Sequence, residues 1–389
     1  MTGGVTVMLV AAEASGDDRG AGLMRALKRR LGGDVRFVGV GGERMRAEGL
    51  DSPFDIAELS VLGLVEGLKA YPKVLRRVRE TAALAARERP DIAILIDSWG
   101  FTLRVAKALR KLDGGLPLVK YVGPQVWASR PGRAKTTAQT FDHLLSIHAF
   151  DAPYFEGEGL PVTFVGNSAL AVDFSRADPE RLRRRIGAAD DYPILLVLPG
   201  SRPGEIERVL PAFADAVARL KAERPELRVV VPAAETVAEL VKAKVAAWTH
   251  PADVLEGEGP KRDAMKAATV ALACSGTVTT ELALAGCPMV IGYRLAPLTY
   301  AILKRLIRTK YVTLFNIAAQ DFVAPELIQD DCNGESLARE VALRLDDPTL
   351  RTQQAARQFE ALGKMGRGGP DPNEAAALAV LKILEGRAR

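Results

Sequence analysis

The chain has 389 residues, of which 48% are hydrophobic and 26% charged, a soluble globular composition long enough for two cores of similar size. No run of about 18 apolar residues occurs, so no transmembrane helix is predicted, and Val5 to Ala12 lacks the basic flank of a signal peptide. The net charge of +5 is mildly basic, read either as a solvated surface or as attraction to an anionic one, and with aromatics at 6% no stacking platform accompanies it, which argues against nucleic acid as a partner. Cys274, Cys287 and Cys332 are odd in number and lack metal spacing, fitting a reducing cytoplasm without disulfides or zinc.

Short apolar runs alternate with longer amphipathic segments, the pattern of parallel βαβ units. The first half predicts strands at Val5 to Ala11, Val35 to Val40, Asp91 to Ile96, Leu118 to Val122, Leu144 to Ile147 and Val162 to Val165. Asn167 to Pro179 reads as a linker before a helix at Glu180 to Ile186. Strands are then predicted at Ile194 to Leu198, Arg228 to Val231, Ala252 to Leu255, Val270 to Cys274 and Met289 to Tyr293. After Asp346 only helical patterns remain, at Leu350 to Leu362 and Asn373 to Leu384. The expectation is an α/β protein of two doubly wound, Rossmann-like domains, 1–170 and 171–345, facing across a cleft, with ligands at the carboxyl ends of the strands. Helices in 346–389 are expected to pack back on the first domain, or to exchange between protomers of a homodimer.

Four motifs fall at strand ends. Glu13-Ala14-Ser15-Gly16-Asp17 follows the first strand and should face the cleft, although Ser15 or Asp17 could serve as a helix cap. The stretch has neither the G-x-G-x-x-G spacing of a dinucleotide fingerprint nor a P-loop lysine. Asp97 ends the apolar strand Ile92 to Ile96 beside the Trp99 indole, placed as a general base, with capping of the next helix as the competing explanation. Leu198-Pro199-Gly200-Ser201-Arg202 delivers a small-residue turn to a helix start, where backbone N–H groups receive phosphate and Arg202 adds a fork of donors. A plain βα turn with a surface arginine is the alternative. Cys274-Ser275-Gly276-Thr277 repeats that logic, and Glu281, one helical turn past Thr277, could accept ribose hydroxyls or simply sit at the surface. Together the two turns could grip one diphosphate. His143, His148 and His250 lie near no nucleophile-like motif, so a Ser-His-Asp triad is not expected.

Basic and apolar residues also run side by side. Lys304, Arg305, Arg308 and Lys310 interleave with Ile302, Leu303, Leu306 and Ile307, and Arg76, Arg77 and Arg79 follow the apolar stretch Leu59 to Leu68, a pattern that suits a membrane surface.

The order of these motifs resembles the lipid-A-disaccharide synthase family, inverting glycosyltransferases of GT-B architecture. The resemblance runs from about Met8 to Gln329, through Ala14 to Asp17, Gly39-Val40-Gly41-Gly42, Glu58 to Val61, Tyr121-Val122-Gly123-Pro124-Gln125-Val126-Trp127-Ala128, Arg130-Pro131-Gly132-Arg133 and Gly159 to Gly166. It continues through Leu198 to Arg202, Gly276-Thr277, Ala285 to Val290 and Pro325 to Gln329. It implies transfer of a sugar from UDP-2,3-diacylglucosamine to the 6-hydroxyl of 2,3-diacylglucosamine 1-phosphate, giving a β-1',6-linked disaccharide and UDP. It further implies a peripheral enzyme on the cytoplasmic face of the inner membrane of a Gram-negative bacterium. No cofactor or metal is expected.

On this resemblance UDP belongs to the second domain, held by Gly200, Ser201, Arg202, Ser275, Gly276, Thr277 and Glu281, with Asn316 and Gln320 lining the cleft. Asp97 is the expected base and Arg202 the stabiliser of the leaving UDP. The acceptor belongs to the first domain, near Glu13, Ser15, Gly16, Asp17, Gln125 and Trp127. Lys304, Arg305 and Arg308 would meet phosphate headgroups, and Leu59 to Leu68 would receive acyl chains or else form ordinary core. The chain departs from the family at Ala12, where a Gly is usual, at Trp99-Gly100 for Pro-Asp, at Asn167-Ser168 for His-Pro and at Phe315 for Pro. A UDP-sugar 2-epimerase and a non-catalytic nucleotide-sugar or lipid-binding module are the rival readings.

Overall fold

The computed structural model describes residues 4–59, 64–296, 300, 304, 307 and 309–387. The chain divides into two compact units, one running to Asn167 and resuming at Gly368, the other spanning Ser168–Arg367.

The first unit holds six parallel strands: β1 (Val5–Val10), β2 (Val35–Val40), β3 (Ile92–Ile96), β4 (Leu118–Tyr121), β5 (His143–Ser146) and β6 (Val162–Phe164). Their spatial order is β2-β1-β3-β4-β5-β6, so the winding reverses between β1 and β3. The run Ile92-Ala93-Ile94-Leu95-Ile96 is buried along its whole length, as a strand covered by helices on both faces must be. One face packs against the helix Ala14–Leu31, and the other against the helices Leu64–Glu88 and Trp99–Leu112.

The second unit repeats the plan with β7 (Ile194–Leu198), β8 (Arg228–Ala233), β9 (Asp253–Glu256), β10 (Val270–Ala273), β11 (Met289–Tyr293) and β12 (Glu326–Ile328). The order β12-β11-β10-β7-β8-β9 is that of a Rossmann sheet, with its switch point between β7 and β10. Both sheets are parallel throughout. The three-residue edge strand β12 is an addition to the elements predicted from sequence. Within the segment expected as linker, Ser168–Ala171 forms a short 3-10 turn, and Asp178 caps the next helix through the backbone N–H groups of Glu180 and Arg181.

The chain after Asp346 is shared between the units. The helix Pro348–Lys364 stays in the second unit, where Ala361 and Leu362 join its core and Gln354 and Gln358 donate to the Met289 and Cys287 carbonyls at 2.7 and 3.0 Å. The helix Pro372–Arg387 belongs to the first unit, burying Ala376, Ala377, Val380 and Leu384 against the helix Ala14–Leu31. All three cysteines are buried free thiols.

Candidate active site

In the second unit the reversal between β7 and β10 brings two turns side by side, and the Cys274 N–H donates to the Leu198 carbonyl at 2.8 Å. Gly200 has φ +109°, and a Cβ on it would stand 3.1 Å from the Glu205 carboxylate, so this turn requires glycine. The helices that follow, Pro203–Glu223 and Thr277–Ala285, have no side-chain cap, whereas the helices starting after Asp178, Asn333 and Asp347 are all capped. Unclaimed N–H groups and the positive ends of two helix dipoles therefore border one cavity of about 470 Å³.

Gly200, Ser201, Arg202, Ser275, Gly276, Thr277 and Glu281 all line that cavity. Arg202 is exposed and pairs with Glu205 at 3.1 Å. Glu281 is held by Lys261, Nζ to Oε2 2.8 Å, and Lys261 also pairs with Glu258 at 3.1 Å. Burial, with Glu205 nearby, pushes the Cys274 thiol up to about 12, so the sulfur at the cavity floor stays protonated and is no nucleophile.

Two predicted members do not join them. Asn316 is fully buried, its Oδ1 accepting from the N–H groups of Val323 and Ala324 at 2.9 and 3.1 Å and its Nδ2 donating to the Ala324 carbonyl at 2.9 Å. It staples a loop. Gln320 closes the helix Leu314–Ala319 with φ +55° and donates back to the Ile317 carbonyl at 2.7 Å.

In the first unit the carboxyl edge around the β1/β3 switch point carries Glu13, Ser15 and Asp97. Glu13 and Ser15 are exposed, and Gly16 is buried against Ala11 and Ile96 where the helix meets the sheet. Asp17 has another task from the one expected of it. It is buried, and its carboxylate accepts from the N–H groups of Gly42, Arg44 and Met45 at 2.7, 2.9 and 3.1 Å, capping the helix Glu43–Ala47. A Cβ on Gly42 would stand 2.7 Å from that carboxylate, so the Gly41-Gly42 pair and Asp17 form one structural unit.

Asp97 and Ser98 both adopt positive φ, +49° and +37°. The Asp97 carboxylate accepts from the Ser98 N–H at 3.0 Å and lies 3.5 Å from Arg19 Nη1, with 37% of its side chain exposed. Beneath it, the Lys120 ammonium donates to the Asp97 carbonyl and to Thr102 Oγ1, the latter at 2.9 Å. Trp99 lies under the Arg133 guanidinium, 5.3 Å from ring centre to Cζ. Among the described residues neither Arg130 nor Arg133 has a carboxylate partner.

Gln125 is exposed on the turn after β4, while Trp127 is buried and donates through Nε1 to Asp151 at 2.8 Å. Asp151 also accepts from Ser146 Oγ at 2.7 Å, and burial raises its carboxyl to about 6. His148 stacks on Phe150 at 5.1 Å, and burial, with Arg19 adding to it, lowers its imidazole to about 4. Trp127 thus anchors the edge rather than opening onto it.

Lys304 is exposed, its Nζ 5.9 Å from the Tyr300 ring, whereas Arg305 and Arg308 lie outside the described residues. Of the stretch Leu59 to Leu68, Leu59 packs on the first unit's core, residues 60–63 lie outside the described residues, and so do the side chains of 64–68. Among the described residues no helix is long and apolar enough to cross a membrane.

Sequence reasoning missed Lys120, Arg19, Lys261 and Asp151. Lys120 had a readable signal, a charged residue inside an apolar strand of a parallel sheet. The other three belong to no local motif.

Comparison with known proteins separates fold from family. The chain superposes on a Staphylococcus aureus MnaA–UDP co-structure with TM-score 0.64 at 14% identity, covering 98% of this chain and 97% of that one. Acinetobacter baumannii MurG gives TM-score 0.59 at 16% identity over 97% and 99% of the two chains. Such identities show the fold alone, an α/β fold of GT-B type, and the structural likeness to UDP-N-acetylglucosamine 2-epimerases, at 13–14% identity, carries no more than that. Sequence similarity is far more specific. The chain is 43% identical to a lipid-A-disaccharide synthase of Rhodospirillum centenum, covering 98% of this chain and 95% of that one. It is 45% identical to one of Paramagnetospirillum magneticum over 97% of both. A sequence model of lipid-A-disaccharide synthetase matches residues 7–378, and the chain belongs to that family.

Proposed function

We propose that this chain transfers 2,3-diacylglucosamine from UDP to the 6-hydroxyl of 2,3-diacylglucosamine 1-phosphate, with inversion, giving a β-1',6-linked disaccharide and UDP. The observation that carries this reading is the double turn at Gly200 and Gly276, where two uncapped helix starts border one cavity. Two sets of unclaimed N–H groups suit the two phosphates of one diphosphate. Arg202 supplies an exposed guanidinium as charge builds on the departing UDP. Glu281, fixed by Lys261, accepts from the ribose hydroxyls.

Inverting transfer also needs a base for the acceptor hydroxyl. The half-buried Asp97 carboxylate at the first unit's switch point takes that role. Glu13, Ser15 and Gln125 border the acceptor, and Arg130 and Arg133, without carboxylate partners among the described residues, supply cations for its 1-phosphate. Lys304, with Arg305 and Arg308, meets anionic headgroups in peripheral contact with the cytoplasmic face of the inner membrane. Assembly as a homodimer belongs to the same reading, and light scattering of the full chain tests it.

Disaccharide formation from the two lipid substrates tests the whole reading. Wild type should form it, and Asp97→Asn should lose about 10²–10⁴-fold in kcat while still binding UDP. UDP release or epimerisation without disaccharide would sink the synthase reading, and full activity in Asp97→Asn would eliminate the base. Flotation with anionic vesicles at low salt tests the membrane contact, which a protein remaining at the bottom of the gradient would contradict.

A further inference from the structure

We infer that Lys120 is a positioning residue for the transfer: sunk in the core, it fixes the backbone turn that presents the Asp97 carboxylate. The inference rests on the reading of Asp97 as the base.

The inside of a parallel sheet is ordinarily apolar, because helices cover both faces. Lys120 stands in β4 at 1% exposure, between Val119 and Tyr121. Burying an amine there is costly, and desolvation lowers its proton affinity to about 7 even though the Asp97 and Glu13 carboxylates pull the other way. A side chain of similar length without the amine would suit the position better. What the amine gains is local. It donates to the Asp97 carbonyl and to Thr102 Oγ1, and the Thr102 hydroxyl itself donates to the Asp97 carbonyl at 2.8 Å.

Those bonds hold an unfavourable backbone. Positive φ is uncommon for residues other than glycine, and here it occurs at two consecutive positions, Asp97 and Ser98. The Asp97 N–H still continues the sheet ladder to the Tyr121 carbonyl at 2.8 Å, but its own carbonyl is turned inward onto Lys120. The Asp97 side chain consequently emerges at the edge, steadied by the Ser98 N–H at 3.0 Å and Arg19 at 3.5 Å. Without the buried donor the turn is free to relax toward ordinary backbone angles, and the carboxylate moves with it. Misplacement of a reacting group by about 1 Å costs on the order of 10² in rate.

The test is Lys120→Met beside Asp97→Asn, reading disaccharide synthesis, the KM for the UDP-sugar and the thermal midpoint. Lys120→Met should lower kcat about 10–100-fold, leave the donor KM within about twofold and leave the midpoint unchanged or raised. A residue that merely supported the fold would lower midpoint and kcat together, and that result overturns the inference. So does wild-type kcat in Lys120→Met while Asp97→Asn is inactive, an outcome that leaves the base reading intact. Wild-type activity in Asp97→Asn would instead remove the base reading and this inference with it. Should Lys120→Met fail to fold, Thr102→Val decides: a several-fold fall in kcat at unchanged donor KM supports the clamp, and unchanged kcat overturns it.

Discussion

Asp17 and Asp97 look alike in the sequence, each a carboxylate just past an apolar strand, yet they have opposite fates. Asp17 is buried and spends both oxygens on backbone N–H groups of the Gly42 turn, whereas Asp97 keeps much of its carboxylate in solvent. Motif position alone cannot separate them, because the partners of Asp17 lie some 25 residues further on. Asp17→Ala should therefore cost about 1–3 kcal/mol of stability by removing the acceptor of three backbone donors, of which the Met45 N–H is buried, measured by urea unfolding, while the specific activity of the folded fraction is kept. Loss of turnover in a variant as stable as wild type would contradict this assignment. Asp151 offers a pH test. Its folded proton affinity is raised to about 6 from an ordinary 3.8 by burial, so the folded state binds the proton more tightly between those values. The cost of holding it charged is full above pH 6 and fades as the pH falls toward 3.8. Asp151→Asn should melt higher than wild type at pH 7, with the gap narrowing by pH 4; a gap constant with pH would show that the carboxylate is not desolvated.

At the scale of elements, eleven of the strands were legible because buried parallel strands write themselves as short apolar runs. The edge strand β12 was not, since Glu326–Ile328 is three residues long and only half-buried. Strand ends located both switch-point turns, but side chains arriving from other elements could not be read. Lys261 reaches Glu281 from the helix Glu258–Ala267, and Arg19 reaches Asp97 from the helix Ala14–Leu31. Asn316 was misread for the converse reason, since an amide on a loop-rich segment gives no sign of the three backbone bonds that absorb it. The terminal helix Pro372–Arg387 makes its own prediction. Val380 is fully buried in the first unit's core, and Glu374 pairs with Arg29 and Arg30. Val380→Asp should destabilise the first unit by more than about 3 kcal/mol and leave the second unit's unfolding in place, a split that calorimetry or site-resolved hydrogen exchange would register. A uniform loss across both units would contradict the assignment of this helix.

For the whole molecule, each unit has its own sheet, its own cores on both faces and its own switch point. Trp99 and Gly100, beside the Asp97 turn, lie in the first. If the cavity bordered by Gly200 and Gly276 receives UDP, then UDP at 100 times its Kd should stabilise the second unit by about 2.7 kcal/mol. Amide protection should rise first around 198–205 and 274–281, and protection gained only in the first unit would place the nucleotide elsewhere.

The division of the chain has a consequence for its biosynthesis. The first unit is built from residues up to Asn167 but is closed by residues after Gly368, so its apolar face for Ala376, Ala377 and Val380 stays uncovered while the second unit is being made. Domains usually finish in the order in which they leave the ribosome. Here the order is inverted: the unit translated second has all its residues first, and the unit translated first must wait, partly open, for the helix Pro372–Arg387.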